Sequence, residues 1–325
     1  MEKNQILYLS QNDVINAGLP LPNIVDALKD ALKQKRQGHV EMPPKANIHI
    51  GTNNSFLNAM PAHLPEQKAA GMKWVGGVPE NPKRGLPYIS GLIILNDTEF
   101  LQPIAMMYCT WITATRTAAA SALSATYLAR PESSTLGVLG CGVQGRSHVA
   151  ALTQLFPVKK IKAYDVDPLA VKKFTKDIQA QFDCETEPAN TPYEAVDACD
   201  IVVTAGPISQ KPHATIQEGW MARGSFASMV DYDSYWHAAA LAQADKFCTD
   251  DTQQIRHYQT IGYFQNIPEI HANLCELVTG TKPGRETEEE ITMAANLGMA
   301  LEDIAVAKLI FERTKATDIG TWLDL

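Results

Sequence analysis

The feature that most constrains this chain is a glycine-rich turn between an apolar strand and a helix with one apolar face. The strand-like run 136–139 leads into the sequence GCGVQG at 140–145, and a helical repeat of apolar residues then continues as far as Pro157. A second strand-like run at 161–165 ends in an acidic residue. A G-x-G-x-x-G turn is a weak signal alone, but this strand–turn–helix–strand context predicts a dinucleotide-binding unit of the Rossmann type.

Each glycine of the turn has a role in binding a dinucleotide. This disfavours the alternative of a glycine-rich turn without a ligand. Gly140 permits the tight turn, Gly142 lets the backbone approach a pyrophosphate, and Gly145 lets the helix pack on the strand. The helix N-terminus offers free N–H groups to the phosphates. An acid at the end of the second strand can bind a ribose diol and repel a 2′-phosphate, so NAD is predicted rather than NADP. The predicted cofactor contacts here are Gly140, Gly142, Val143, Gln144, Gly145 and Asp165.

Composition restricts the class of partner. The 325 residues suggest two domains, and a net charge of −8 argues against a nucleic-acid partner. No apolar stretch is long enough to span a bilayer and no signal-peptide core opens the chain, so we expect no membrane partner and a cytoplasmic location. The six cysteines lack C-x-x-C pairing and the histidines lack metal-ligand spacing, which predicts free thiols and no metal.

The first third of the chain has a two-residue apolar repeat with turn residues between the runs. The pattern predicts strands at 46–50, 55–60, 71–75, 89–95 and 101–108. This antiparallel sheet lies outside the dinucleotide-binding unit and is predicted to form the substrate domain. Its exposed edge and apolar alternation favour pairing with a second copy of the chain in a homodimer.

Three cations are placed where a negatively charged ligand could bind. Lys73 lies inside an apolar strand, Lys45 precedes another strand, and Arg116 lies near the start of a helix rich in small residues. A lysine in an apolar strand must snorkel, pair or bind an anion, and an arginine suits bidentate capture of a carboxylate. For each cation alone, a surface or snorkelling charge is an equally good interpretation.

The second half of the chain continues the parallel sheet. The buried-strand pattern at 200–206 ends in a loop, where Thr204 and Gly206 are candidates to touch the cofactor. The next strand, 224–230, is followed by Asp231 and Asp233, and from the residues alone loop caps are the better interpretation of both acids. A helix is predicted to start over 288–295 and, after an interruption by a glycine, to continue over 299–312.

Several segments resemble the ornithine cyclodeaminase/mu-crystallin family. They are KWVGGVPENPKRGLP at 73–87, TRTAAASA at 115–122, GCGVQ at 140–144 and LGMALED at 297–303. The resemblance covers nearly the whole chain. It implies an α/β fold with a Rossmann NAD-binding domain at 118–299. It also implies an α+β substrate-binding and dimerisation domain with an antiparallel sheet, made of 1–117 and 300–325, and a homodimer.

The resemblance also implies roles for individual residues. Asp233 falls where cyclodeaminases carry their catalytic aspartate, and Lys73 is the second residue with an implied catalytic role. Asp231 stands where the family commonly has glycine, which leaves open which acid faces the substrate. The substrate-binding set becomes Lys45, Asn58, Lys73, Arg116 and Leu297. The cofactor-binding set gains Arg116, Thr204, Gly206, Ser228, Val230 and Asn296.

The activity that the resemblance implies is NAD-dependent hydride transfer at the α-carbon of an α-amino acid, through an imine, in an ornithine cyclodeaminase-type deaminating cyclisation. Two departures weaken the ornithine assignment: Asn58 replaces a glutamate and Lys45 replaces an arginine. The first alternative is therefore a net amino-acid dehydrogenase or ketimine reductase acting on an amino acid or cyclic imine. The second is a non-catalytic small-ligand binder, as among mu-crystallin-like members.

Overall fold

The structure is a computed structural model that describes residues 5–51 and 55–325. These residues form two compact units. The first unit contains the described residues up to Arg116 together with Gly298–Leu325, and the second contains Thr117–Leu297.

The helices and strands are numbered in chain order. Those before the glycine-rich turn are β1 (Gln5–Leu9), α1 (Gln11–Asn16), α2 (Leu21–Gln37), β2 (Ala46–Ile50), β3 (Ser55–Leu64), β4 (Ala69–Gly77), β5 (Ile89–Asn96), β6 (Pro103–Tyr108), α3 (Thr110–Leu128) and β7 (Thr135–Leu139). Those after it are α4 (Val143–Leu155), β8 (Lys160–Tyr164), α5 (Pro168–Gln181), β9 (Glu185–Pro188), α6 (Pro192–Val196), β10 (Ile201–Thr204), β11 (Phe226–Met229), α7 (Ala238–Leu241), β12 (Lys246–Thr249), α8 (Thr252–Thr260), β13 (Ile270–Asn273), α9 (Leu274–Val278), β14 (Thr292–Ala295), α10 (Ala300–Thr314) and β15 (Thr321–Asp324).

The first unit is built on a sheet with the strand order β15-β1-β6-β5-β4-β3-β2. Its strands pair antiparallel, as predicted, except that β1 runs parallel to β6. The exception arises because β1 continues into helices α1 and α2 rather than into a hairpin turn, and only hairpin-linked strands must run antiparallel. Helix α10 packs on β3, β4 and β5, with α2 beside it, and covers one face of the sheet.

The two faces of this sheet differ in burial. Along β4, Lys73 and Val75 are buried whereas Trp74 between them is 37% exposed, which is the period-two pattern of a strand. Trp74 pairs in register with Ala59 and Leu92, so these side chains share its face. The result is an outer face of apolar side chains opposite the face that α10 covers.

The second unit is built on a sheet with the strand order β13-β12-β14-β11-β10-β7-β8-β9, and all its neighbouring pairs are parallel. Strands β10, β11, β12 and β14 are buried along their whole length. From β7 the chain first adds β8 and β9 on one side of the sheet, and it then adds β10 and β11 on the other side of β7. The carboxyl ends of β7 and β10 therefore form a topological switch point, where ligands bind in sheets of this kind.

One sequence prediction for this unit is wrong. The helix predicted to start over 288–295 is instead the strand β14, which is hydrogen-bonded to β11 on one side and β12 on the other. Its alanines and methionine favour helix, but the gap in the middle of the sheet imposes a strand, since tertiary context overrides propensity. The following helix, α10, begins at Ala300.

Within residues 5–51 and 55–325, no helix combines the length and the apolar character that crossing a membrane requires. The same residues contain no group of three or more His, Cys, Asp or Glu arranged to hold a metal ion. All six cysteines are free thiols.

Candidate active site

The glycine-rich turn forms an open helix N-terminus at the switch point. Gly140 has φ +107°, and a Cβ there would lie 2.5 Å from the carbonyl oxygen of Ala205. A Cβ at Gly145 would lie 2.1 Å from the carbonyl oxygen of Gly140, so both positions require glycine. Gly142 is the N-cap of α4, has no side chain to cap the helix, and would direct a Cβ into open space. The first N–H groups of α4 are thus available to an anionic ligand.

Asp165 joins the end of β8 to this turn. Its Oδ2 accepts from the backbone N–H of Cys141 at 2.8 Å, and its Oδ1 accepts from that of Asp167 at 3.0 Å. Each oxygen keeps a second lone pair for a ligand hydroxyl. Val166 and Leu169, close behind it in the chain, are 81% and 75% exposed, and they offer apolar surface next to the carboxylate. This combination fits the ribose and base of a dinucleotide.

Three predicted cofactor residues carry buried polar atoms without a hydrogen-bond partner in the described part of the chain. They are the side-chain oxygens Gln144 Oε1, Ser228 Oγ and Asn296 Oδ1. Such atoms are uncommon in folded proteins because an unsatisfied buried polar group costs about 1–3 kcal/mol. They fit a polar ligand that lies along the carboxyl edge of the sheet, as NAD does in folds of this type.

Thr204 and Gly206 at the end of β10 are engaged by Asp231. The hydroxyl of Thr204 donates to Asp231 Oδ1 at 2.7 Å, and the N–H of Gly206 donates to Asp231 Oδ2 at 3.1 Å. Trp236 Nε1 donates to the same hydroxyl at 3.2 Å. Burial raises the pKa of the Asp231 carboxyl to about 7. Both oxygens of this acid therefore serve to hold the loop after β10.

Asp233 has a different environment, although it lies only two residues away. It is 4% exposed, and its Oδ1 has no hydrogen-bond partner within the described ranges. Burial raises its pKa, while backbone hydrogen bonds at Asp233 itself and at Phe264 oppose the shift. Tyr232 between the two acids has φ +63°, an uncommon value for a bulky residue, and this turn separates the two carboxyl groups. Of the two acids, Asp233 is the one with a carboxyl oxygen to spare.

The first unit contains a buried cluster around Lys73 and Arg116. Lys73 is 1% exposed, and its Nζ lies 2.7 Å from Asp303 Oδ2. Arg116 donates from Nε to Asp303 Oδ1 at 3.0 Å and from Nη1 to Glu302 Oε2 at 2.8 Å. One carboxylate thus bridges both cations. Both acids lie in the first turn of α10, where the helix N-terminus also stabilises negative charge.

The cluster changes the ionisation of its members. Burial lowers the pKa of the Lys73 ammonium, Arg116 lowers it further, and Asp303 opposes both effects. Burial alone would lower the pKa of the Arg116 guanidinium, but Asp303 and Glu302 outweigh that effect and raise it. The snorkelling interpretation does not apply to either cation, because both side chains are buried and paired.

Sequence reasoning missed Glu302, Asp303 and Gly298 as parts of this cluster. Gly298 has φ +80°, and a Cβ there would lie 2.3 Å from Arg116 Nη1, so only glycine leaves room for the guanidinium. The signal for the two acids was present, because two cations buried in an apolar region need counter-ions.

Of the remaining predicted residues, Asn58 shares a face of the first sheet with Lys73, because it pairs in register with Val75 on β4. Lys45 is buried just before β2, and Asn58 on β3 accepts from Asn47 Nδ2 at 2.6 Å. The side chain of Leu297 belongs to the hydrophobic core of the second unit. Val230 donates its backbone N–H to the carbonyl of Thr204 at 2.9 Å. The substrate and cofactor roles of all these residues stay predictions.

The model of the ornithine cyclodeaminase/mu-crystallin family matches residues 6–318. The chain belongs to this family. The predicted resemblance and the predicted α/β fold, with one parallel and one largely antiparallel sheet, are therefore confirmed.

Three similar proteins illustrate where the chain stands in the ornithine cyclodeaminase/mu-crystallin family. The alanine dehydrogenase of Archaeoglobus fulgidus is 33% identical over 325 residues and 98% of each chain. The solved Δ1-pyrroline-2-carboxylate reductase of Thermococcus litoralis, in complex with NADH and L-proline, is 30% identical with a TM-score of 0.89, covering 97% of this chain and 99% of that one. A solved archaeal alanine dehydrogenase dimer with bound NAD is 32% identical with a TM-score of 0.88, covering 99% of both chains.

Proposed function

We propose that this chain is an NAD-dependent oxidoreductase that transfers hydride at the α-carbon of an α-amino acid, through the corresponding imine. The observation that carries the proposal is the full-length likeness, at 30–33% identity, to an alanine dehydrogenase and to a pyrroline-2-carboxylate reductase solved with NADH and L-proline. The buried polar atoms along the second sheet and the cation cluster of the first unit support it.

Residues of the second unit would hold the cofactor. NAD, when bound, supplies the hydride acceptor and donor. The N-terminus of α4 and Gly142 would hold its pyrophosphate, and Asp165 would hold a ribose diol. Gln144, Ser228 and Asn296 would satisfy their buried oxygens against its polar groups.

The first unit would hold the substrate carboxylate through Lys73 and Arg116, and Asp303 would keep both cations in position. In the second unit, Asp233 would exchange protons with the substrate, since its carboxyl has an oxygen that no described residue engages. Burial raises the pKa of the Asp233 carboxyl above its ordinary value, which makes it a stronger base than an exposed aspartate.

Asn58 favours a net dehydrogenase or imine reductase over a cyclodeaminase. A cyclodeaminase must bind a second, distal ammonium, for which a carboxylate is suited. Asn58 offers only a neutral oxygen, and that oxygen already accepts a hydrogen bond from Asn47 at 2.6 Å. The hydride step at the α-carbon is common to both activities.

The test is incubation of the purified protein with NAD and a panel of α-amino acids, including ornithine, and of NADH with cyclic imines. Reduced cofactor and ammonia are measured together. Net formation of NADH supports a dehydrogenase, oxidation of NADH by an imine supports a reductase, and ammonia without net NADH identifies a cyclodeaminase. Binding of amino acid without any turnover would contradict the proposal and favour a binding protein.

Cofactor preference gives a direct prediction. The wild-type protein should bind NAD more tightly than NADP, because Asp165 attracts the diol and repels a 2′-phosphate. Asp165→Ser should narrow the difference by weakening NAD binding. Calorimetric titration with both cofactors measures the two affinities, and tighter binding of NADP by the wild type would refute the assignment.

The outer face of the first sheet leads to a second prediction, that the protein is a homodimer. Trp74 lies on this apolar face, and the archaeal alanine dehydrogenase with 32% identity was solved as a dimer. Tryptophan is enriched among the few interface residues whose truncation costs about 2 kcal/mol or more, so Trp74→Lys should weaken the dimer by roughly thirtyfold. Light scattering over a dilution series measures this.

A matched control is Phe100→Lys. Phe100 is 70% exposed but lies in the turn between β5 and β6 rather than on the outer face. This variant should dimerise like the wild type. A wild-type protein that is monomeric at micromolar concentration would rule out the dimer.

A further inference from the structure

Asn296, which directly follows β14, is held in one orientation by Ser124 of α3. The hydroxyl of Ser124 donates its single proton to the carbonyl of Ala120 at 3.0 Å. It can therefore only accept from Asn296, whose Nδ2 lies 3.0 Å away. The amide nitrogen of Asn296 must face Ser124, so its Oδ1 points elsewhere. That oxygen is buried and has no hydrogen-bond partner in the described part of the chain.

Ser228 carries the neighbouring buried polar atom. Ser228 on β11 pairs in register with Ala294 on β14, and Asn296 follows Ala294 by two residues, so the three share one face of the sheet. From strand spacing and rise, Ser228 and Asn296 are diagonal neighbours about 8 Å apart at Cα. Ser228 Oγ is buried without a partner among residues 5–51 and 55–325.

The two atoms present complementary chemistry. Asn296 Oδ1 can only accept a hydrogen bond, whereas the hydroxyl of Ser228 has a proton to donate. A primary carboxamide satisfies both, because its N–H can donate to Asn296 and its carbonyl can accept from Ser228. Two hydrogen bonds of about 2.9 Å, one to each polar atom of a carboxamide, can span two residues about 8 Å apart at Cα.

The position of the pair along the sheet agrees with this assignment. Strands β11 and β14 lie two and three places from β7, which carries the phosphate-binding turn. At about 4.8 Å per strand, the pair lies roughly 10–14 Å from that turn along the carboxyl edge. This is the second half of the crevice, beyond the pyrophosphate.

We propose that Asn296 and Ser228 together recognise the carboxamide of the nicotinamide ring, and that Ser124 orients Asn296 for this contact. The proposal rests on the proposed function, since it takes NAD as the ligand. The pair fixes the rotation of the ring, so one face of the nicotinamide is offered to the substrate.

The test compares three ligands by calorimetric titration of the full-length protein: NAD, 3-acetylpyridine adenine dinucleotide and ADP-ribose. In the acetylpyridine analogue, a methyl group replaces the amide nitrogen, so the carbonyl stays and the N–H donor is lost. ADP-ribose lacks the nicotinamide and reports binding of the rest of the cofactor.

The wild type should bind NAD about five- to a hundredfold more tightly than the acetylpyridine analogue, because the analogue leaves Asn296 Oδ1 unsatisfied. Asn296→Ala should bring the two affinities together. Ser228→Ala should weaken both by the same factor and keep their ratio, since both ligands retain the carbonyl. Ser124→Ala should reduce the ratio, because the amide of Asn296 can then turn. ADP-ribose affinity should stay unchanged throughout.

Equal affinity of the wild type for NAD and the analogue, or an unchanged ratio in Asn296→Ala, would overturn the proposal. So would a loss of ADP-ribose affinity that parallels the loss of NAD affinity in the variants, because the effect would then come from the fold. If Asn296→Ala does not fold, Ser228→Ala decides, and unchanged NAD affinity in that variant counts against the pair. A wild type that binds neither NAD nor ADP-ribose overturns the proposed function as well.

Discussion

The Asp233→Asn variant is expected to fold, to bind NAD as the wild type does and to turn over about 10²–10⁴-fold more slowly, the range typical of a lost proton-transfer group. Asparagine keeps the size of the side chain and can still form hydrogen bonds, but it cannot exchange a proton in the same way. Because burial raises the pKa of Asp233, the limb of the pH–rate profile that reports this group should lie above the ordinary carboxyl range. That limb should disappear in the variant.

Asp231→Asn is the matched control, since it makes the same change two residues away. An asparagine can accept from Thr204 or from Gly206 through its one oxygen but not from both, so the loop after β10 should be destabilised by about 1–3 kcal/mol. Turnover should fall far less than in Asp233→Asn. An inactive Asp231→Asn beside an active Asp233→Asn would show that the proton-transfer role belongs to the other acid.

Substitutions in the buried cation cluster should separate binding from stability. Lys73→Met removes one contact to the substrate carboxylate, worth about 1.5–3 kcal/mol, so amino-acid affinity should fall roughly ten- to a hundredfold. Asp303 would keep its partner Arg116, at 3.0 Å from Nε, so the loss of stability should be smaller than when the shared carboxylate itself is removed. Asp303→Ala instead leaves two buried cations without their shared carboxylate, and it should lower the free energy of unfolding by about 3–5 kcal/mol.

Denaturant unfolding and amino-acid titration of both variants measure these effects. An exposed pair on α2, Lys33 with Asp30 at 3.1 Å, supplies the control. Lys33→Met should change the free energy of unfolding by less than about 1 kcal/mol and leave amino-acid binding intact. If Asp303→Ala is as stable as Lys33→Met, the bridging carboxylate does not hold the cluster together.

Features encoded by neighbouring residues were predictable from the sequence. The glycine-rich turn needs only its own glycines, an apolar strand before it and a helix after it, and Gly140 and Gly145 occupy the tight positions that the motif assigns to them. The strands in the first third of the chain were also predictable from neighbouring residues. The hairpin-linked strands followed the period-two repeat, although β3 extends to Leu64 and β4 begins at Ala69.

Features that depend on distant residues were not predictable in the same way. The carboxylate that pairs with Arg116 is 187 positions away in the sequence, and no periodicity connects the two. Strand β14 shows the same limit, because its residues take up strand geometry only between β11 and β12. The parallel pairing of β1 with β6 likewise depends on where the chain returns.

The two acids after β11 show how a single dihedral can decide a question that the sequence leaves open. Residues two apart share a face in an extended strand, so the pattern Asp-Tyr-Asp gives no reason to distinguish them. The positive φ of Tyr232 breaks that alternation. It leaves Asp231 bonded to Thr204 and Gly206, and Asp233 with an oxygen that has no hydrogen-bond partner among the described residues.

Gly298 is uncharged, yet it determines where the charged guanidinium of Arg116 can lie. A single methyl group at this position would lie only 2.3 Å from Arg116 Nη1, so the guanidinium would have to shift relative to Glu302 and Asp303. The position of the guanidinium charge therefore depends partly on the absence of a side chain at Gly298. An alanine here would keep every ionisable residue of the cluster and still displace the guanidinium from its position.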